Sequence, residues 1–175
     1  MLAHRWALSL VALAALYGCR PERSSQAAPS GLALGPAALA NGTYIVGVPG
    51  GLDTVTLVAG RHVDETTGLE TLLLPLAAWG DLYGDDRREV ATVVVTRIPG
   101  RGALHEMVVV ADGGGRPVQI AHEYLGDRVD VEGLAVSDRS VAVQMQVHGP
   151  NDPPCCPTQR VSRRFSIQGR TPPSP

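Results

Sequence analysis

The sequence predicts an all-β domain, a curled antiparallel sheet closing into a sandwich or barrel, preceded by a signal peptide and a flexible tether. Three observations lead there. From Thr43 to Gln168, short runs rich in Val, Ile and Thr alternate with turn residues, as strands joined by tight connections do. These runs are of two kinds. Val141, Val143, Met145 and Val147 alternate with Ala142, Gln144, Gln146 and His148, the pattern of a half-buried strand, whereas residues 91–95 and 107–111 are apolar on both faces and need cover on both. Finally, no long segment carries a helical period; residues 69–79 come closest, and Pro75 would break that helix.

Composition suits one such domain. The chain has 175 residues, 44% apolar and 18% charged, which is enough apolar surface for a packed core. With 15 basic against 17 acidic groups the net charge is −2, so no field favours nucleic acid. Every Lys/Arg position is Arg, which excludes a P-loop lysine, a Schiff-base lysine and a lysine general base.

Taken in order, His4 and Arg5 open the chain, and an apolar run follows from Trp6 to Tyr17. At about twelve residues the run is too short to span the bilayer core but suits a signal peptide. It ends in Leu16-Tyr17-Gly18-Cys19, which resembles the bacterial lipobox; Tyr17 is bulkier than that pattern usually has. The resemblance implies cleavage after residue 18 and a lipid on the Cys19 sulfur. The competing reading is an ordinary secretory signal with a chance cysteine. Residues 1–18 are therefore read as a lipoprotein signal peptide and 19–40, rich in Pro, Ser, Ala and Gly, as a lipid-anchored flexible linker. Residues 41–169 form the β-rich domain and 170–175 a disordered tail.

Within the domain, strands are expected at 43–48, 54–58, 70–76, 89–98, 105–111, 117–125, 129–136, 140–148 and 159–168. Asp112-Gly113-Gly114-Gly115 and Ser137-Asp138-Arg139 read as hairpin connections between sequentially paired strands. His105-Glu106 and His122-Glu123 lack the second His of a metalloprotease helix and read as surface positions on strands. Arg160, Arg163 and Arg164 read as a basic cluster on a strand face.

Two loops carry residues with chemistry. The first, Gly80-Asp81-Leu82-Tyr83-Gly84-Asp85-Asp86-Arg87-Arg88-Glu89, places acidic groups at alternate positions before a strand. It resembles the Asp-rich calcium loops of FG-GAP and dockerin-like proteins, with Asp81, Asp85 and Glu89 at ligand positions. Tyr83 and Asp86 depart from that pattern, and Arg87 and Arg88 oppose a cation. The alternative is a polar hairpin loop holding Arg–carboxylate pairs, so no cofactor is expected, with calcium as the one candidate.

The second runs His148-Gly-Pro-Asn-Asp-Pro-Pro-Cys155-Cys156-Pro157-Thr158. In an oxidising compartment an exposed thiol pair oxidises, and the prolines suit a rigid turn. A structural vicinal disulfide between Cys155 and Cys156 is the first reading. A redox-active disulfide and a soft-metal site of both thiolates with His148 remain beside it. The chain also resembles a widespread group of bacterial exported proteins without an assigned activity. The marks of that group are a GDLNGDG-like loop, a LLGDRV-like strand and a HGPNDPxCCPT motif. Gly80-Asp81-Leu82 with Gly84-Asp85, Tyr124-Leu125-Gly126-Asp127-Arg128-Val129 and His148–Thr158 occur in that order. The resemblance implies fold and location only.

These readings converge on a non-enzymatic cell-envelope lipoprotein. It would be held to a membrane by its lipid, face the periplasm or exterior, and use its β-domain to bind an unnamed envelope partner or to serve structurally. A periplasmic thiol-redox or soft-metal protein is the second reading. A hydrolase whose site is assembled from distant residues is the third.

Overall fold

The structure is a computed structural model and describes residues 34–167. Cys19, with the signal peptide, and the tail at 170–175 lie outside the described residues. Among the described residues, no helix is long and apolar enough to cross a membrane.

A short helix α1 (Pro36–Ala40) is followed by ten strands: β1 (Thr43–Val48), β2 (Gly51–Thr56), β3 (Arg61–Val63), β4 (Glu70–Gly80), β5 (Glu89–Ile98), β6 (Gly102–Asp112), β7 (Pro117–Asp127), β8 (Asp130–Ser137), β9 (Ser140–Val147) and β10 (Gln159–Ser166). Among the described residues they form three antiparallel sheets in the orders β1-β2, β3-β4-β5-β6-β7 and β10-β9-β8. Consecutive strands pair within each sheet, and the chain changes sheet between β2 and β3 and between β7 and β8. The fold is all-β and sandwich-like; among the described residues no sheet closes into a barrel.

The doubly apolar strands explain the layering. β5 and β6 lie in the middle of the five-stranded sheet and present a different core on each face. Ala91, Val93, Val95, Met107 and Val109 pack with Val131, Val141, Val143 and Met145 of the three-stranded sheet. Val90, Val94, Val108 and Val110 pack with Tyr44, Val46, Val55 and Leu57 of the β1-β2 region. A fully buried Val is worth about 1.5–3 kcal/mol relative to an exposed one, so two covered faces roughly double what these strands contribute.

Leu34 and Leu39 join this second core at 3% and 2% exposure. Tyr44 Oη donates to the Leu39 carbonyl at 2.7 Å and Trp79 Nε1 to the Leu34 carbonyl at 3.2 Å. Residues 34–40 therefore belong to the folded unit rather than to the linker expected to reach Ala40. Two leucines in a small-residue stretch carry too little periodicity to show that they dock.

Polar side chains fasten the β1-β2 hairpin to the sheet. Gln119 mimics a strand neighbour, accepting from Ile45 N–H at 2.8 Å and donating to the Ile45 carbonyl at 3.0 Å. Glu106 is 3% exposed and accepts from Gly47 N–H at 2.6 Å. The expectation that His105-Glu106 sits on the surface is thus corrected: alternation sends Glu106 into one layer and His105 into the other.

Pro75 does not end its strand. Leu73 pairs with Val94 and Ala77 with Thr92, so Leu74–Leu76 bulge opposite the single Val93. A bulge needs no ladder N–H at that point, which is where proline is tolerated in a sheet. Thr92 Oγ1 donates to the Leu76 carbonyl at 2.7 Å, satisfying a group the bulge leaves over.

Candidate ligand-binding site

The two chemistry-bearing loops lie at opposite ends of β4 and β5. The Asp81 loop joins Gly80 to Glu89 at one end. At the other end the β7–β8 connection and the loop after β9 come together.

In the first loop Asp81 does not face outward. Its Oδ1 accepts the N–H groups of Tyr83, Gly84 and Asp85 at 3.1, 2.5 and 3.2 Å, and its Oδ2 accepts that of Asp86 at 3.1 Å. Gly84 and Asp86, at φ +74° and +62°, supply the left-handed turns that aim these amides inward. Desolvation pushes the Asp81 pKa up, but the four N–H bonds outweigh it and hold the carboxyl below its ordinary value.

Asp85 accepts the Arg87 N–H at 3.1 Å, and Glu89 turns into the core, 1% exposed, accepting Leu82 N–H at 2.7 Å. Burial, reinforced by the charges of Asp85 and Asp81, raises the Glu89 carboxyl against that hydrogen bond. Asp81, Asp85 and Glu89 thus each serve a different backbone group. Among the described residues no three His, Cys, Asp or Glu side chains gather as a metal site. Among the described residues the Arg–carboxylate pairs expected of this loop as the alternative do not form; Arg139, from the β8–β9 turn, reaches across instead to the Tyr83 carbonyl at 3.0 Å.

At the other end Cys155 and Cys156 form a disulfide, and both are exposed. The loop has a second fastening that its sequence did not advertise. Asp152 Oδ2 accepts the N–H groups of Gly149 and Thr158, both at 2.8 Å, and its Oδ1 accepts the Thr158 hydroxyl at 2.8 Å. The Gly149 N–H foremost, with the Thr158 hydroxyl, keeps the Asp152 carboxyl below its ordinary value. His148 Nε2 is buried without a hydrogen-bond partner among the described residues. With both sulfurs in the disulfide, the soft-metal trio of Cys155, Cys156 and His148 presents no thiolate, and no such cluster forms.

Between this loop and the five-stranded sheet lies a cavity of about 300 Å³. Its floor follows the strand register. Leu72, Val95 and His105 stand directly opposite one another on β4, β5 and β6, and Arg97 pairs with Ala103 one row further out. Leu74 extends the floor; Arg128, Val129 and Asp130 form one wall, and Cys155 and Pro157 another. The lining carries no hydroxyl and no free thiol.

Three of its four polar side chains, Arg97, His105 and Arg128, are held by neighbouring groups. Arg128 has φ +50°, an uncommon state for a non-glycine residue and one that collects at functional sites. Its N–H donates to the Ala103 carbonyl at 2.8 Å, and its Nε to Asp127 Oδ2 at 2.9 Å. Asp127 Oδ1 in turn accepts Ala103 N–H at 2.9 Å. Arg97 shares Glu70 with Arg61 at 3.0 and 2.7 Å. His105 Nδ1 lies 3.0 Å from the Ala103 carbonyl, which can only accept, so Nδ1 carries the proton and the neutral ring keeps a lone pair on Nε2. Desolvation lowers the His105 pKa, which keeps the ring neutral at pH 7.

The segments around Arg128 and Cys155 stand out separately in the sequence, but nothing there shows their meeting; Arg97 and Asp130 carry no pattern that marks them, and His105 reads there as a surface position. The basic cluster also divides. Arg160 reaches Glu132 at 3.1 Å and Arg164 the Ser140 hydroxyl at 3.1 Å, while Arg163, one position out of phase with Arg164, donates to the Leu125 carbonyl at 3.2 Å. Compared with protein-family models, curated proteins and solved structures, the chain finds no match.

Proposed function

We propose that this is an exported, lipid-anchored envelope protein whose β-sandwich binds a small molecule in the cavity beneath the Cys155–Cys156 loop. The observation that carries the reading is convergence. The β7–β8 connection and the loop after β9, far apart in the chain, meet with three strands around one apolar hollow edged by charged groups. Such hollows are the usual form of small-molecule sites, and about 300 Å³ is the lower end of their range. With no hydroxyl or free thiol on the lining, the residues present suit holding a ligand rather than attacking one.

A small-molecule library titrated against the full chain tests this. Binders are expected to raise the melting temperature and to lose affinity in Ala103→Phe, which fills the floor. Binders indifferent to that substitution would place recognition elsewhere on the surface. A second reading is favoured by the exposure of the disulfide on the cavity wall, namely a thiol-redox protein whose Cys155–Cys156 pair exchanges with a partner dithiol. A redox titration in glutathione or dithiothreitol buffers tests it. A pair that stays oxidised down to potentials typical of structural disulfides rejects it.

A further inference from the structure

The charges around the cavity are mixed in sign and unequally satisfied. Asp127 is paired with Ala103 N–H and the Arg128 side chain, and Glu70 with two guanidinium groups. Asp130, by contrast, is exposed and has no ion-pair or hydrogen-bond partner among the described residues. Arg97 and Arg128 each spend only part of the guanidinium fork on their carboxylates; Nη1 of Arg128 and Nε and Nη2 of Arg97 bond no protein group among the described residues. Spare cationic donors and one spare carboxylate thus edge the same hollow, above a floor of Leu72, Leu74 and Val95. Arg97, His105, Arg128 and Asp130 all line this one hollow.

Resting on the binding reading above, we infer that the cavity takes a small apolar zwitterion, a molecule with a carboxylate, an ammonium group and an apolar body. The guanidinium groups of Arg128 and Arg97 grip the carboxylate, in the forked geometry such pairs favour. Asp130 receives the ammonium group, and neutral His105 offers Nε2 as a further acceptor. An anion alone would leave Asp130 unanswered beside it, and an amine alone would leave the spare donors of both arginines unused. The cavity has room for about ten water-sized atoms, the scale of a free amino acid with an aliphatic side chain.

The test uses the full chain, expressed with its own leader and purified in mild detergent. Calorimetric titration compares leucine with two near-isosteric probes, 4-methylpentanoate, which lacks the amine, and 3-methylbutylamine, which lacks the carboxylate. Leucine is expected to bind at least about tenfold more tightly than either probe, as befits loss of one charged hydrogen-bonded group. Asp130→Asn, at an exposed and unpartnered position, is expected to fold normally and to bring leucine down to 4-methylpentanoate. Arg97→Gln, which leaves Arg128 in place, is expected to weaken leucine and 4-methylpentanoate while leaving 3-methylbutylamine unchanged; unchanged leucine binding in this variant counts against the inference. Either probe binding as well as leucine overturns the inference. If none of the three binds while a library molecule does so in a manner sensitive to Ala103→Phe, the zwitterion falls and the binding site stands. If nothing binds at all, both fall.

Discussion

Gly102 and Asp127 occupy one another's space: a Cβ on Gly102 would stand where Asp127 places its carboxylate. From there Asp127 bonds Ala103 N–H and Arg128, so glycine at 102 is the condition for the wall of the cavity to form. Gly102→Ala is expected to displace Asp127, cost about 1–3 kcal/mol as overpacking does, and weaken ligand binding beyond what the lost stability explains. Chemical denaturation alongside titration checks it. Unchanged stability would mean that Asp127 shifts without loss.

The loop after β9 has two fastenings, the disulfide and Asp152. Ring closure over adjacent residues removes little unfolded-state entropy, whereas Asp152 satisfies two backbone amides and a hydroxyl. Cys155→Ser/Cys156→Ser is therefore expected to lower the melting temperature less than Asp152→Ala. The Asp152 pKa is lowered, so its contribution is complete above about pH 4 and is lost as pH falls from there through the folded value. Melting curves of the two variants from neutral to acid pH check the order. The reverse ranking would make the disulfide the main fastening.

Asp81 already spends both oxygens on backbone N–H groups. At about a hundredfold excess over its dissociation constant, a bound ion would stabilise the fold by roughly 2.7 kcal/mol. Millimolar calcium against chelator is expected to leave the melting temperature unchanged, while Asp81→Ala lowers it equally in both. A calcium-dependent rise that vanishes in the variant would show that the loop reorganises around the ion.

Glu89 is a buried carboxyl whose pKa is raised, first by desolvation. The folded state therefore keeps a proton that the unfolded state has already released, and stability falls as pH rises from the ordinary value of 4.5 through the folded one. Glu89→Gln keeps an acceptor for Leu82 N–H and removes the charge. It is expected to melt higher than the parent at about pH 8 and to vary less between about pH 5 and pH 8. A variant with the parent's pH profile would show that Glu89 contributes nothing to it.

The Leu16–Cys19 box leads to a separate expectation. Cells fed labelled palmitate should yield a labelled, membrane-associated protein, and Cys19→Ala should abolish both properties. A soluble, unlabelled product cleaved elsewhere removes the lipid anchor from the proposal.

The sequence alone determined the all-β class, the sequential pairing and the two covered faces of β5 and β6, because period and apolarity are local properties of a strand. It also placed β1 and β5 to the residue and the turn at Asp138-Arg139, since tight turns write their demands into the residues that make them. Only the tertiary structure decided where polar side chains point and what they meet. Glu106 and His105 are neighbours in sequence, yet one ties down Gly47 and the other lines the cavity, an outcome that depends on which sheet covers which face. Asp81 and Asp85 have the spacing of cation ligands, but left-handed turns at Gly84 and Asp86 bring backbone amides to Asp81 instead. The cavity joins strand ends to loops more than twenty residues apart in sequence, and no local pattern encodes a distance of that kind.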